Sequence, residues 1–253
     1  MALRRGRCSM CSLIVGGVPQ TARWCAALWV SALVLLSGCA RDPAPYISKY
    51  DPVLANAPFP AIAAGPGRSD PLVAIFGDNQ ASGAACSSSR SYPEILGDAL
   101  GWAVEANIVV DGGYLSSGSG RMAERISNFP MSTVGTPDLF VLQAGASDVG
   151  SLSGDLVVAV QDSIRTVREI APGVPVVVVG LLWGNGFMSE DASRNYVDIA
   201  RVALGAKGVG FVNTYDLRFA QDPVSGAPVD DGCVTLASAV EAYLRSLHVV
   251  SDR

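Results

Sequence analysis

Between Leu72 and Val212 the chain carries five short apolar runs with no regular polar alternation: Leu72–Phe76, Ala106–Val110, Leu139–Leu142, Val174–Val179 and Val209–Val212. A run of this kind predicts a strand covered on both faces, because a half-exposed strand would alternate with a period of two. Pro175 sits near the start of its run, where a missing N–H is tolerated. The segments between the runs read as helices. Ser91-Tyr92-Pro93-Glu94 predicts a capping box with an early proline, opening a helix through Leu100. Arg121–Asn128 predicts a short helix. Val157, Val160, Ile164 and Val167 fall on one face of a longer one. A further helix is expected near Ser189–Leu204, and a last one carries Leu236, Val240, Tyr243, Leu244 and Leu247. Strands that alternate with helices build a parallel sheet with helices on both faces. The expected architecture is a three-layer α/β/α, flavodoxin-like domain with a five-stranded parallel sheet. Ligands on such sheets bind beyond the carboxyl ends of the strands. Asp78 and Ser147 each follow such an end and are expected to share one crevice.

The N-terminus has a different character. Residues 1–38 contain Arg4, Arg5, Arg7 and Arg23 and no acid, and Trp24–Leu36 is apolar. That run is short of the roughly 20 apolar residues a spanning helix needs. Basic residues before a short apolar core predict a secretory signal. Leu36-Ser37-Gly38-Cys39 closes it in the manner of a bacterial lipobox. Residues 1–38 are therefore expected to be a lipoprotein signal peptide, with Cys39 lipidated and holding the protein on the outer face of the bacterial cell membrane. The other reading is an ordinary signal peptide with Cys39 incidental. Residues 39–70, rich in proline and alanine, read as a tether whose later part is free to pack on the domain. The domain itself is expected over 71–253.

Charge narrows the partners. The whole chain has a formal net charge of −5; without residues 1–38 it has 14 basic and 23 acidic residues, or −9. With no basic stripe, nucleic acid is excluded as an expected partner, and membrane attachment would come from the lipid on Cys39. Of six cysteines, Cys8, Cys11 and Cys25 lie in the signal. With Cys39 lipidated, Cys86 and Cys233 remain, and an even pair in an exported domain suggests a disulfide. Two buried free thiols are the alternative. Beyond the signal there is no CxxC pair and no histidine cluster, so neither a metal nor a cofactor is expected.

Three segments carry the chemistry. Gly77-Asp78-Asn79-Gln80 follows the first strand. Gly145-Ala146-Ser147-Asp148 follows the third. Asp230-Asp231-Gly232-Cys233-Val234 comes near the end, with Cys233 expected in a loop at the same sheet edge as Cys86. In order and spacing they resemble the Gly-Asp-Ser, Gly-x-Asn-Asp and Asp-x-x-His blocks of the SGNH (GDSL-type) hydrolases, and the resemblance covers most of residues 71–248. It implies the SGNH-hydrolase fold. It also implies ester or acetyl hydrolysis by a serine nucleophile, a histidine base and an aspartate that orients the histidine. The oxyanion is held by backbone N–H groups and an asparagine side chain.

Carried over residue by residue, the resemblance puts Asn79 at the nucleophile position and Ser147 at the position of the oxyanion asparagine. The oxyanion glycine falls at Ser116 or, with a small gap, at Gly118. The histidine falls at Val234 or Cys233, and Asp231 or Asp230 remains as the orienting acid. A carboxamide cannot form an acyl-enzyme. The one histidine, His248, lies some four helical turns past Asp231, roughly 20 Å or more away, and reads as a surface or packing residue. Asn79 and Ser147 have exchanged residue types, so their side chains are expected to be neighbours able to share a hydrogen bond. One use of the pair makes Ser147 a relocated nucleophile, Asn79 an oxyanion donor and Asp78, Asp148 or Asp231 the base. The other makes both residues fillers of a retired site, with Asp78 bonding nearby backbone N–H groups. Trp183, after the fourth strand, is expected in a pocket wall or in packing.

The expected protein is an envelope lipoprotein with an SGNH-hydrolase-like domain that binds an acylated or glycan envelope component, or a partner protein, without hydrolysing it. An active esterase or O-acyl hydrolase with rearranged residues, and a structural lipoprotein with no ligand, are the alternatives.

Overall fold

The computed structural model describes residues 59–82, 90–183, 188–220, 222, 228–229 and 231–247. Cys39, Cys86, Asp230 and His248 lie outside them, as do the expected signal and most of the expected tether. The described residues contain five strands and six α-helices. In chain order these are β1 (Leu72–Gly77), α1 (Tyr92–Leu100), β2 (Ala103–Ile108), α2 (Met122–Ser127), α3 (Met131–Val134), β3 (Leu139–Gln143), α4 (Ser153–Ile170), β4 (Val176–Val179), α5 (Glu190–Gly205), β5 (Val209–Val212) and α6 (Gly232–Ser246). No helix among them is long and apolar enough to cross a membrane.

All strand pairs are parallel, in the order β2-β1-β3-β4-β5. The chain leaves β1 for β2 on one side and returns to β3 on the other, so the order reverses between β1 and β3. On open parallel sheets such a reversal is where loops diverge and ligands bind, at the carboxyl edge. β1, β3, β4 and β5 are buried along their whole length, as uninterrupted apolar runs require. On one face Val73, Ile75, Leu139, Val141, Val177 and Val179 pack with Tyr92 and Leu96 of α1 and Leu236, Val240 and Leu244 of α6. On the other, Phe76 and Phe140 stack with ring centroids 6.1 Å apart, and Phe129, just past α2, meets both. Helix α4 packs against α2 and α5.

Local signals account for the helix ends. The N–H of Ser91 donates to Glu94 Oε2 at 2.7 Å and the Ser91 side chain faces the Glu94 N–H in return, so the capping box is present. Ser189 caps α5 by accepting from Ala192 N at 3.1 Å.

Two expectations shift. β2 runs from Ala103 to Ile108, not from Ala106 to Val110. It is an edge strand with no residue fully buried, and its register pairs Leu72 with Ala103; Val110 leaves the sheet and is 67% exposed. β4 starts at Val176 because Pro175 contributes only a carbonyl, accepting from Phe140 N. The later part of the expected tether packs on the domain, as the sequence left open. Ile62 is buried in the core and Phe59 packs against it, while Arg68 pairs with Asp138 at 2.6 Å.

Candidate functional site

The site is built on the exits of β1, β2, β3 and β4. β1 ends at Gly77, where a Cβ would lie 2.3 Å from the Ala81 side chain. Glycine therefore lets the chain fold at once into the 3-10 turn Asn79–Ala81. Asp78 caps that turn and is completely buried. Its Oδ1 accepts from Gln80 N at 2.9 Å and its Oδ2 from Ala146 N at 3.4 Å. The expectation that Asp78 bonds nearby backbone N–H groups is met, and the second bond ties the β1 exit to the β3 exit.

Asn79, at the nucleophile position, turns toward the loop after β2. Its Oδ1 accepts from Asp111 N at 2.6 Å, and its Nδ2 donates to Asp111 Oδ1 at 3.4 Å. Asp111 is the described non-glycine residue with positive φ, at 57°. That left-handed conformation costs about 1 kcal/mol or more for a residue with a Cβ, and the two-point contact with Asn79 offsets it. Ser116 adds a bond from its hydroxyl to Asp111 O at 2.9 Å. Gly118 is exposed, with φ +56° and open space around it.

Ser147 is exposed in the turn after β3, and no hydrogen bond joins it to Asn79 among the described residues, so the bond that the exchange of residue types left open is not made. The reason is that Asp111 offers Asn79 both a donor and an acceptor, while the Ser147 turn is held by Asp148 instead. Asp148 is buried and accepts from Tyr114 N at 2.9 Å and Leu115 N at 3.0 Å. Its carbonyl accepts from Asn195 Nδ2 at 2.8 Å. A Cβ on Gly113 would lie 2.6 Å from Asp148 Oδ1, so only glycine permits this approach.

Asp231 is exposed at the start of α6, with no capping bond from its side chain. Its carbonyl accepts from the Thr235 N–H and hydroxyl. Val234, at a histidine position, is 43% exposed. Cys233, expected in a loop, is instead buried in the first turn of α6. Trp183 is half-buried after β4.

Several residues that sequence reasoning passed over hold the crevice floor. Gln80 forms an amide pair with Leu182: its Nε2 donates to Leu182 O at 3.0 Å, and its Oε1 accepts from Leu182 N at 3.2 Å. This ties the β1 exit to the β4 exit. Arg125 of α2 is buried and donates from Nε to Asn107 Oδ1 and from Nη2 to Gly77 O, both at 2.9 Å, and also to Asn107 O. Burial lowers its pKa to about 10, against a smaller upward pull from Asp78.

Burial dominates the electrostatics of the carboxylates. It pushes Asp78 up to about 7; Asp148 nearby adds to the rise, while the Gln80 and Ala146 N–H groups and Arg125 oppose it. Burial raises Asp148 as well, against the Leu115 and Tyr114 N–H groups. Among the described residues there is no cluster of three or more metal-ligating side chains. The arrangement offers one exposed hydroxyl, Ser147, and one buried acid near neutrality, Asp78, with no hydrogen bond between them.

No family model matches the sequence, and no curated protein matches it significantly. Solved structures match the fold. The salicylyl-acyltransferase SsfX3 from a tetracycline biosynthetic pathway superposes with a TM-score of 0.57 at 18% identity over 74% of this chain. The chain spans 57% of the length of that protein. A family 3 carbohydrate esterase from Clostridium thermocellum gives 0.57 at 16% identity, covering 73% of this chain and 100% of the esterase. A lipase/acylhydrolase from Enterococcus faecalis gives 0.54 at 12% identity, covering 70% and 96%. The sheet order, the helices on both faces and these superpositions agree: the chain contains a three-layer α/β/α domain with the SGNH (GDSL-type) hydrolase fold.

Proposed function

We propose that this is an exported bacterial lipoprotein, anchored through lipid on Cys39 to the outer face of the cell membrane, whose SGNH-like domain binds an acylated or glycan envelope component without hydrolysing it. The observation that carries the reading is the state of Asn79. The side chain at the nucleophile position is spent on Asp111, holding a left-handed backbone turn rather than facing a substrate. The replacement of the histidine by Val234 or Cys233 points the same way, since no residue there can remove a proton from a hydroxyl. The carbohydrate esterase and the lipase/acylhydrolase of the same fold suggest the ligand class: acyl groups and the sugars that carry them.

The test is fluorophosphonate labelling of the purified domain, with an active SGNH enzyme alongside and the modified peptide read by mass spectrometry. No labelling is expected, together with no turnover of short p-nitrophenyl esters above background. Labelling at Ser147 would overturn the reading. One observation favours the esterase alternative: Asp78, raised to about 7, is a stronger base than an ordinary carboxylate. Labelling at Ser147 that disappears in Asp78→Asn would establish that alternative.

We also propose a Cys86–Cys233 disulfide. The buried position of Cys233 at the start of α6 supports it: the bridge would join the loop after β1 to the helix start that carries the histidine in active relatives. Non-reducing peptide mapping should recover Cys86 and Cys233 in one linked peptide. Alkylation of both thiols in exported, unreduced protein would remove the bridge.

A further inference from the structure

Polar atoms without a protein partner gather in one part of the interior. Among the described residues, seven buried side-chain nitrogen and oxygen atoms make no hydrogen bond. Six of them are the hydroxyls of Tyr92 and Tyr114, Arg125 Nη1, Asn195 Oδ1 and both amide atoms of Gln143. The seventh, Arg68 Nε, belongs to the ion pair with Asp138, before β3 and away from the rest. Native interiors pair nearly all such atoms, with protein or with ordered water.

The fold brings the five residues together. Gln143 ends β3 and pairs in register with Gly77, the residue before Asp78. It lies two residues past Val141, so its side chain leaves the same side of the sheet, where Val141 packs in one cluster with Tyr92 of α1. Arg125 of α2 donates to Gly77 O. Tyr114 N donates to Asp148, and Asn195 Nδ2 of α5 to Asp148 O. The charge of Asp78 reaches both tyrosines, yet neither hydroxyl bonds to it. Polar groups that face one another across more than bonding distance suit a bridging molecule. The six atoms decide which molecule. The guanidinium nitrogen only donates, Asn195 Oδ1 only accepts, the Gln143 amide offers one of each and the hydroxyls do both. An anion would meet Asp78 and Asp148, and a cation would meet Arg125; water answers every member. None of the five residues is more than 5% exposed, so the group lies beneath the crevice floor and not in its mouth.

We propose that Tyr92, Tyr114, Arg125, Gln143 and Asn195 enclose an internal hydration site beneath the crevice, in which ordered water bridges these side chains to one another and to Asp78 and Asp148. A buried water makes about three hydrogen bonds, so six atoms call for about two waters. The site ties α1, through the Tyr92 hydroxyl, to the exits of β1 and β3. It goes beyond the binding reading and does not rest on it.

The deciding experiment is a crystal structure of the unmutated protein at a resolution that shows ordered water. The expected result is water within hydrogen-bond distance of at least one of the two tyrosine hydroxyls and of a second residue of the group. Density for no such water, with the hydroxyls bonded directly to protein or to nothing, overturns the site. Urea unfolding of Tyr92→Phe and Tyr114→Phe supplies a second measurement that keeps the rings in place. Loss of a hydroxyl bonded to water should raise the unfolding constant roughly fivefold in at least one variant. Removing a hydroxyl that has no partner relieves a buried polar group instead, so a constant unchanged or lowered in both variants also overturns the site.

Discussion

Phe140→Ala is expected to lower the stability of the domain by about 3–5 kcal/mol. Phe140 is fully buried in β3, the middle strand of the sheet, opposite Ala74 on one side and Val176 on the other. Its ring stacks on Phe76 at an interplanar angle of 14° and takes Phe129 edge-on at 66°, with centroids 6.1 and 6.0 Å apart. Phe76 and Phe129 touch each other at 5.9 Å, so the three rings form a closed triangle. Removing one leaves a cavity bounded by sheet backbone on one side, which cannot collapse without breaking ladder bonds. The lost transfer energy and the cavity therefore add. Val158, on the outward side of α4 and 53% exposed, provides the contrast: Val158→Ala is expected to change stability by no more than about 0.5 kcal/mol. Urea unfolding of both variants measures the difference. A loss below about 1 kcal/mol for Phe140→Ala would show that the triangle does not close.

Asp148→Ala is expected to cost about 2–5 kcal/mol, because it strips the acceptor from two backbone N–H groups at once. Those of Tyr114 and Leu115 meet the carboxylate at 2.9 and 3.0 Å, beneath a loop packed too closely at Gly113 to admit a replacement side chain. Part of this cost is returned, since a buried carboxylate is itself unfavourable and burial raises the Asp148 pKa. Asp148→Asn separates the two contributions: it removes the charge and keeps one acceptor oxygen. It should lose less than the alanine variant in urea unfolding at neutral pH. Equal losses would mean that the charge, not the two bonds, holds the loop.

Much of the scaffold was readable from side-chain pattern because a strand covered on both faces has no choice of residue. Leu72–Gly77 and Leu139–Gln143 could only be central strands. β2 was misplaced by three residues at its start for the converse reason. At the edge of the sheet burial is partial, so the most apolar stretch, ending at Val110, does not mark the paired stretch. Of the site, Asp78 was legible because its place depends only on the strand before it. The partner of Asn79 was not, since Asp111 is 32 residues away and its donor is positioned by a left-handed turn that no pattern announces. Gln80 and Leu182, 102 residues apart, meet only because β1 and β4 both end at the carboxyl edge. That the hydroxyls of Tyr92 and Tyr114 gather near Asp78 is a property of three converging elements.

Among the described residues the order of the strands leaves β2 and β5 with one unpaired side each. On β2 the consequence is a hazard the chain has met with a single residue. From Ala103 to Val110 the segment is β-prone and carries one charge, Glu105. An open strand edge without charge is a template on which a second molecule can add its own backbone. Glu105 is half-buried in the middle of β2, opposite Ala74 of β1. A copy of the chain laid alongside that edge would have to place a second carboxylate close to the first, so the sheet is kept from growing outward by repulsion between like molecules.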